Sequence, residues 1–83
     1  MKLRLRYFAS IREALGRAEE TVHTEAQSLG QLRDELLARG GVYAQALNRE
    51  NVLRMAMDQV LADEETPLRD GAEVALFPPV TGG

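Results

Sequence analysis

The chain has 83 residues, which is enough for one small domain and leaves little room for a deep substrate pocket. Its hydrophobic content of 45% and charged content of 28% are typical of a globular protein. The net charge of −3 argues against a general nucleic-acid binder, and no apolar run is long enough to span a membrane. Because cysteine is absent and the N-terminus lacks the apolar block of a signal peptide, we expect a cytoplasmic protein without thiolate chemistry.

The N-terminal residues predict a strand followed by a short helix. Lys2–Phe8 alternates charged and apolar residues, as a half-buried strand does. The predicted inward face holds Leu3, Leu5 and Tyr7. Ser10 and Glu13 have the spacing of a capping box, and Gly16 is a suitable left-handed end for the helix.

A second strand and the longest helix follow. Glu20–Thr24 is predicted to be a strand, and Ser28 is predicted to cap a helix that has Gln31 three positions on. The apolar stripe of this helix is Leu29, Leu32 and Leu36, with Leu37 beside it. Gly40 and Gly41 are predicted to end it.

The remaining residues predict one short helix and three strands. These elements are a helix at Val42–Leu47 and strands at Val52–Met57, Val60–Ala62 and Glu73–Phe77. A tight turn at Asp58 and Gln59 joins two of the strands, and Val74 and Leu76 are predicted to point inward. The element order is therefore β-α-β-α-α-β-β-β, which indicates an α+β domain with helices packed on one face of a mixed sheet.

The last six residues form a distinct tail. We expect a folded domain over residues 1–77 and an extended tail over residues 78–83, because Pro78 and Pro79 cannot continue a sheet ladder. Gly82 and Gly83 leave the terminal carboxylate without a neighbouring side chain, so that a narrow channel can admit it. ATP can convert such a carboxylate into an acyl-adenylate, which a sulfur or nitrogen nucleophile attacks. The alternative is that the two glycines form an inert end.

Three segments resemble a known family. They are Asp70–Gly83, Tyr7–Glu13 with Gly16 after it, and Ala56–Gln59, where the family usually has Asn at the place of Asp58. The chain resembles the small subunits of molybdopterin synthase, and the resemblance runs from end to end. It implies a ubiquitin-like β-grasp fold, in which the first and last strands lie side by side.

The resemblance also implies a role in molybdenum cofactor biosynthesis. An adenylating, E1-like enzyme would use ATP to activate Gly83, next to Gly82, and a sulfur donor would convert Gly83 to a thiocarboxylate. The sulfur would then pass to precursor Z (cyclic pyranopterin monophosphate) in the active site of the large subunit. The assembled synthase of the family is a heterotetramer. The chain would bind no cofactor or metal and would not be an enzyme by itself.

Two aromatic residues predict a partner-binding face. Phe8 and Phe77 are out of phase with the inward residues of their strands, and Ala75 would allow a partner to approach closely. Arg12 matches an arginine of the family and would pair with a carboxylate at the interface. The tail residues of the same predicted interface are Pro78, Pro79, Val80 and Thr81. Burial of a phenylalanine by a helix or the tail, and a solvated Arg12, remain the alternatives.

Other functions remain open. A carrier of this class could instead serve thiamine or tRNA thiolation, or could be conjugated to protein lysines, although Lys2 is the only lysine of this chain. A third possibility is an interaction domain with an inert terminus. His23 has no second His or Cys at ligand spacing, and Asp63-Glu64-Glu65 does not fit a calcium loop, so no metal site is predicted.

Overall fold

The computed structural model describes residues 1–79 of the chain. In this range three helices and five strands follow one another in the predicted order. The elements are β1 (Lys2–Tyr7), α1 (Ala9–Leu15), β2 (Glu19–His23), α2 (Leu29–Leu37), α3 (Gly41–Ala46), β3 (Arg54–Met57), β4 (Val60–Ala62) and β5 (Glu73–Phe77). Among these residues, no helix is both long and apolar enough to cross a membrane.

The five strands form one mixed sheet in the order β2-β1-β5-β3-β4. The first and last strands, β1 and β5, are parallel neighbours, whereas the other three strand pairs are antiparallel. The predicted side-by-side placement of the first and last strands is therefore confirmed. As a result, the chain leaves the sheet from its central strand.

One face of the sheet and the helices enclose a single core. The predicted inward residues of β1 and β5 are all buried there, together with the apolar stripe of α2. These residues are Leu3, Leu5, Tyr7, Leu29, Leu32, Leu36, Val74 and Leu76. Since each side chain of this size contributes roughly 1.5–3 kcal/mol when buried, this contact holds the helices on one face.

The predicted capping box at the start of α1 is wrong. The helix begins at Ala9, with Phe8 as its N-cap and no side-chain cap, so Ser10 lies inside the first turn. The reason is tertiary, because the amide of Phe8 still donates to the Leu76 carbonyl of the sheet, 3.2 Å away. The chain must turn into the helix directly after that bond. The predicted left-handed end at Gly16 is confirmed by its φ of +72°.

The predicted N-cap of α2 is confirmed, but the predicted end of this helix is wrong. The Ser28 hydroxyl accepts a hydrogen bond from the Gln31 amide at 3.2 Å, and the Gln31 side chain accepts one from the Gln27 amide. The helix ends at Leu37, before the glycines. Gly40 instead starts α3, where it is the N-cap with a φ of +73°.

Strand β3 is shorter than predicted because its partner strand, β5, ends at Phe77. Arg54 pairs with Phe77, the last residue of β5. Continuing the register would place Val52 opposite Pro79, beyond Pro78, and proline has no amide hydrogen for the ladder. Pairing therefore stops, and the strand begins at Arg54 rather than Val52.

Candidate functional site

Phe8 and Phe77 lie side by side at the ends of β1 and β5. Tyr7 is opposite Leu76 in the parallel register, so the two phenylalanines follow as the next pair. Both are half-buried, and neither belongs to the buried core, whose members alternate with them along the strands. The sequence prediction that the two aromatic rings share the outer face of the sheet agrees with this register.

Small and apolar residues extend this face across the sheet. Ala75 is opposite Ala56 of β3, and Ala56 is opposite Leu61 of β4. Leu61 is 64% exposed and continues the apolar residues of this face onto the edge strand. We use the name sheet surface for the apolar set Phe8, Ala56, Leu61, Ala75 and Phe77. Leu61 is exposed, Phe8, Ala75 and Phe77 are half-buried, and Ala56 is buried between them, so the set is a partly exposed apolar strip that a protein partner could cover.

Sequence analysis did not assign Ala56 and Leu61 to this surface. A signal was present for Ala56, because it alternates with Met55 and Met57, which pack on the core side. The two-residue turn after Met57 then fixes the register that sets Leu61 opposite Ala56. Both residues could therefore have been found by following the alternation through the hairpin.

Charged side chains surround the apolar strip. The Arg6 guanidinium lies over the Phe8 ring, 5.3 Å from its centroid. Arg6 and Arg4 both approach the Glu73 carboxylate, at 3.8 Å and 4.0 Å. Arg54 stands opposite Phe77 at the other side of the strip. An apolar centre with a charged rim is the usual composition of a transient protein interface.

The other predicted interface residues are only partly described. Arg12 is exposed on α1, and its amide donates to the Phe8 carbonyl, so it lies one helical turn from the sheet surface. Pro78 and Pro79 are half-buried directly after β5. Val80, Thr81, Gly82 and Gly83 lie outside the described residues. The structure thus brings together Phe8, Ala75 and Phe77 with the start of the tail.

A shallow cleft lies on the helical side of the same tail. Its volume is about 330 Å³. We name it the tail-base cleft, and its lining residues are Ser10, Ile11, Ala14, Ala46, Asn51, Val52 and Pro78. Pro78 follows Phe77 directly, so the start of the tail has the sheet surface on one side and this cleft on the other.

A polar cluster that the sequence did not predict lies around Glu20. The hydroxyls of Tyr7 and Tyr43 donate to its carboxylate, and the Arg39 guanidinium donates to the other oxygen at 3.0 Å. Burial alone would raise the pKa of Glu20, but the hydrogen bonds from Tyr43, Tyr7 and Arg39 outweigh it and lower the pKa. Burial, reinforced by the hydrogen bond to Glu20, raises the pKa of Tyr7. Because each hydroxyl is used within the cluster, we interpret it as structural.

Candidate metal ligands are sparse among the described residues. Within residues 1–79, no group of three or more His, Asp or Glu side chains could hold a metal ion. His23 is exposed on the edge strand β2, as the sequence predicted.

Known proteins resemble this chain over nearly its whole length. Residues 5–83 match the ThiS family. The molybdopterin synthase sulfur carrier subunit of Escherichia coli (strain K12) is 37% identical over 81 residues, which cover 98% of this chain and 99% of that protein.

Solved structures give the same picture of the fold. A chain of the complex between subunits 1 and 2 of the molybdopterin-converting factor from Helicobacter pylori is 30% identical, with a TM-score of 0.70 and full coverage of both chains. The small archaeal modifier protein 1 of Haloferax volcanii is 21% identical, with a TM-score of 0.75 over 95% of this chain and 98% of that one. At that identity the likeness shows the fold alone. The predicted ubiquitin-like β-grasp fold is confirmed.

Proposed function

The chain belongs to the ThiS family, and we propose that it is the sulfur-carrier subunit of a molybdopterin synthase. The full-length identity of 37% to a sulfur carrier subunit from Escherichia coli supports this assignment. The structural observation that carries it is the exit of the chain at Phe77. There the central strand ends beside the sheet surface, and the sequence continues through two prolines to Gly82 and Gly83.

The proposed chemistry takes place at the Gly83 carboxylate. An adenylating enzyme would transfer the AMP moiety of ATP to this carboxylate and release pyrophosphate. A sulfur donor would then displace AMP from the glycyl carbonyl and leave a thiocarboxylate. Since Gly82 and Gly83 have no Cβ, neither would obstruct the nucleophile or a narrow channel. The loaded terminus would deliver its sulfur to precursor Z.

The folded body would dock the partner that receives the sulfur. We propose that the sheet surface, with Arg12 and the proline start of the tail, contacts the large subunit of the synthase. The complex of subunits 1 and 2 in the Helicobacter pylori protein supports a two-subunit assembly. Catalytic side chains and ATP binding would belong to the partners. The absence of cysteine fits a cytoplasmic site of action.

Removal of Gly83 tests the proposal. We expect the shortened chain to unfold at the same temperature as the full chain, because the core lies within residues 3–76. The full chain, incubated with ATP, the adenylating enzyme and a sulfur donor, should gain the mass difference between one sulfur and one oxygen atom. The shortened chain should gain nothing and should not support molybdopterin formation with the large subunit. Undiminished formation by the shortened chain would refute the proposal.

The same loaded protein separates the alternative carriers. It can be offered precursor Z with the large subunit, or a thiazole precursor with its synthase. Transfer to the thiazole precursor alone would favour a role in thiamine formation. Conjugation to protein lysines, the other alternative, would instead appear as a stable increase in the mass of an acceptor protein.

A further inference from the structure

The tail-base cleft is a second apolar surface at the start of the tail. It lies between α1, α3 and the segment that leads into β3, whereas the sheet surface lies on the other face of the sheet. Val52, on one wall of the cleft, is 66% exposed. Val52 therefore gives the cleft an apolar side chain that a partner could reach.

The composition of the cleft limits what can occupy it. Its walls carry no charged side chain, and their polar groups are the hydroxyl of Ser10 and the amide of Asn51. A phosphate or carboxylate ligand would find no counter-charge there. The volume of about 330 Å³ is at the lower limit of small-molecule sites. The chemistry therefore fits an aliphatic side chain from a protein.

The position of Pro78 indicates which protein supplies that side chain. Pro78 is both a wall of the cleft and the first residue after β5. A protein that encloses the tail from its first residue would contact Pro78 and would thereby reach the edge of the cleft. We propose that the second subunit, which receives the tail, inserts an aliphatic side chain into the tail-base cleft. This proposal rests on the proposed function, because that function identifies the protein that encloses the tail.

The architecture adds a reason for this second contact. The sheet surface alone fixes the tail from one side, so the direction in which the tail leaves β5 could still vary about that contact. A contact in the cleft, on the opposite side of Pro78, would fix that direction. The predicted consequence is that the cleft contributes to binding of the second subunit even before sulfur is loaded.

Filling the cleft tests the proposal. Ala14 is an exposed residue of α1 on the cleft wall, and leucine is nearly as good a helix former as alanine. We expect Ala14→Leu to weaken binding of the full chain to the second subunit by about tenfold, as expected for a blocked anchor position. The matched control is Ala38→Leu, an exposed alanine at the end of α2, which should change the affinity by less than about twofold. Isothermal titration measures both affinities.

A second variant guards against an effect on folding. Val52→Glu adds a charge at the mouth of the cleft and should weaken binding similarly, with thermal unfolding close to that of the unaltered chain. Equal affinities of Ala14→Leu, Val52→Glu and Ala38→Leu would overturn the proposal. It would also be overturned by sedimentation showing self-association that Ala14→Leu abolishes, because the occupant would then be a second copy.

The two proposals fail in different experiments. Absence of sulfur on Gly83 in the mass measurement refutes the carrier function and leaves the binding data as they stand. If the unaltered chain takes up sulfur and binds the second subunit, but Ala14→Leu and Val52→Glu bind as tightly as Ala38→Leu, the cleft proposal is refuted and the carrier function remains.

Discussion

Tyr7 and Tyr43 donate hydrogen bonds to the same carboxylate oxygen of Glu20, each at 2.7 Å. Tyr7 comes from β1 and Tyr43 from α3, so the shared oxygen joins the sheet to a helix that is far from it in sequence. Arg39 and Arg17 approach the other oxygen at 3.0 Å and 3.4 Å. The carboxylate is thus a cross-link between three parts of the fold.

This cross-link predicts a pH-dependent contribution to stability. The pKa of Glu20 is lowered in the folded protein, so its contribution is complete above the unfolded value of about 4.3. It is lost as the pH falls through the folded pKa. We expect Glu20→Gln to destabilise the protein by about 2 kcal/mol at pH 7, since hydrogen bonds to a charged group are weakened. The difference from the unaltered chain should shrink toward pH 3.

Urea unfolding at the two pH values measures this effect. Glu19→Gln is the matched control, because Glu19 is an exposed carboxylate of the same strand. Its free energy of unfolding should change by less than about 0.5 kcal/mol. If Glu20→Gln lowers the free energy of unfolding as much at pH 3 as at pH 7, the charge of Glu20 is not the source of the stabilisation.

Arg33 is a buried cation that holds a loop by its backbone. Its guanidinium donates to the carbonyls of Leu47, Asn48 and Asn51 at 2.9, 2.8 and 3.2 Å, and to Glu64 at 3.3 Å. Desolvation lowers the pKa of this arginine, although Glu64 opposes the shift.

Replacement of Arg33 should therefore be costly. We expect Arg33→Met to lower the free energy of unfolding by about 3 kcal/mol, because it leaves the buried Leu47 carbonyl and two partly buried carbonyls without their donor. The control Arg69→Ala removes an exposed arginine that pairs with Asp58 and should cost less than about 1 kcal/mol. Chemical denaturation measures both values. Equal losses of unfolding free energy for the two variants would contradict the conclusion that the hydrogen bonds of Arg33 hold the loop in place.

The sequence predicted correctly the features that depend on local periodicity, and wrongly the boundaries that depend on pairing with a distant strand. The alternation in β1 and β5 and the leucine stripe of α2 depend on local periodicity, and they gave the correct elements and inward faces. The start of α1 and the start of β3 depend on pairing with β5, at Leu76 and Phe77 respectively. Local patterns do not contain that pairing, so both boundaries were wrong.

The candidate site shows the same division. Phe8 and Phe77 could be placed on one face because each is out of phase with its own strand and the resemblance pairs the two strands. The Glu20 cluster could not be predicted, since its donors are 13 and 23 residues away in sequence. The buried state of Arg33 likewise depends on a loop that only the tertiary fold brings near.

A substitution in the turn between β3 and β4 should stabilise the folded protein. Asp58 and Gln59 both have positive φ, +49° and +69°, as in the two-residue turns that favour glycine at the second position. We expect Gln59→Gly to raise the free energy of unfolding by about 1 kcal/mol through relief of this left-handed strain. Asp58→Gly should not stabilise, because the Asp58 carboxylate accepts the Glu73 amide at 3.0 Å. Urea unfolding that ranks Asp58→Gly above Gln59→Gly would contradict this account.

Leu61 and Val60 allow a direct test of the sheet surface. They are neighbours in β4 and are similarly exposed, 64% and 68%, but their side chains lie on opposite faces of the sheet. Leu61 is opposite Ala56, on the outer face, whereas Val60 is opposite Met57, which packs against the core. We expect Leu61→Ala to weaken binding to the second subunit by about tenfold, since it removes an apolar anchor.

Val60→Ala is the matched control. It should change the affinity by less than about twofold, and neither variant should change the free energy of unfolding by more than about 0.5 kcal/mol, because both side chains are largely exposed. Titration calorimetry with the purified second subunit, together with urea unfolding, gives both quantities for each variant. Equal losses of affinity would place the contact at the edge of β4 rather than on its outer face. An unchanged affinity of Leu61→Ala would remove Leu61 from the interface and confine the anchor to Phe8 and Phe77.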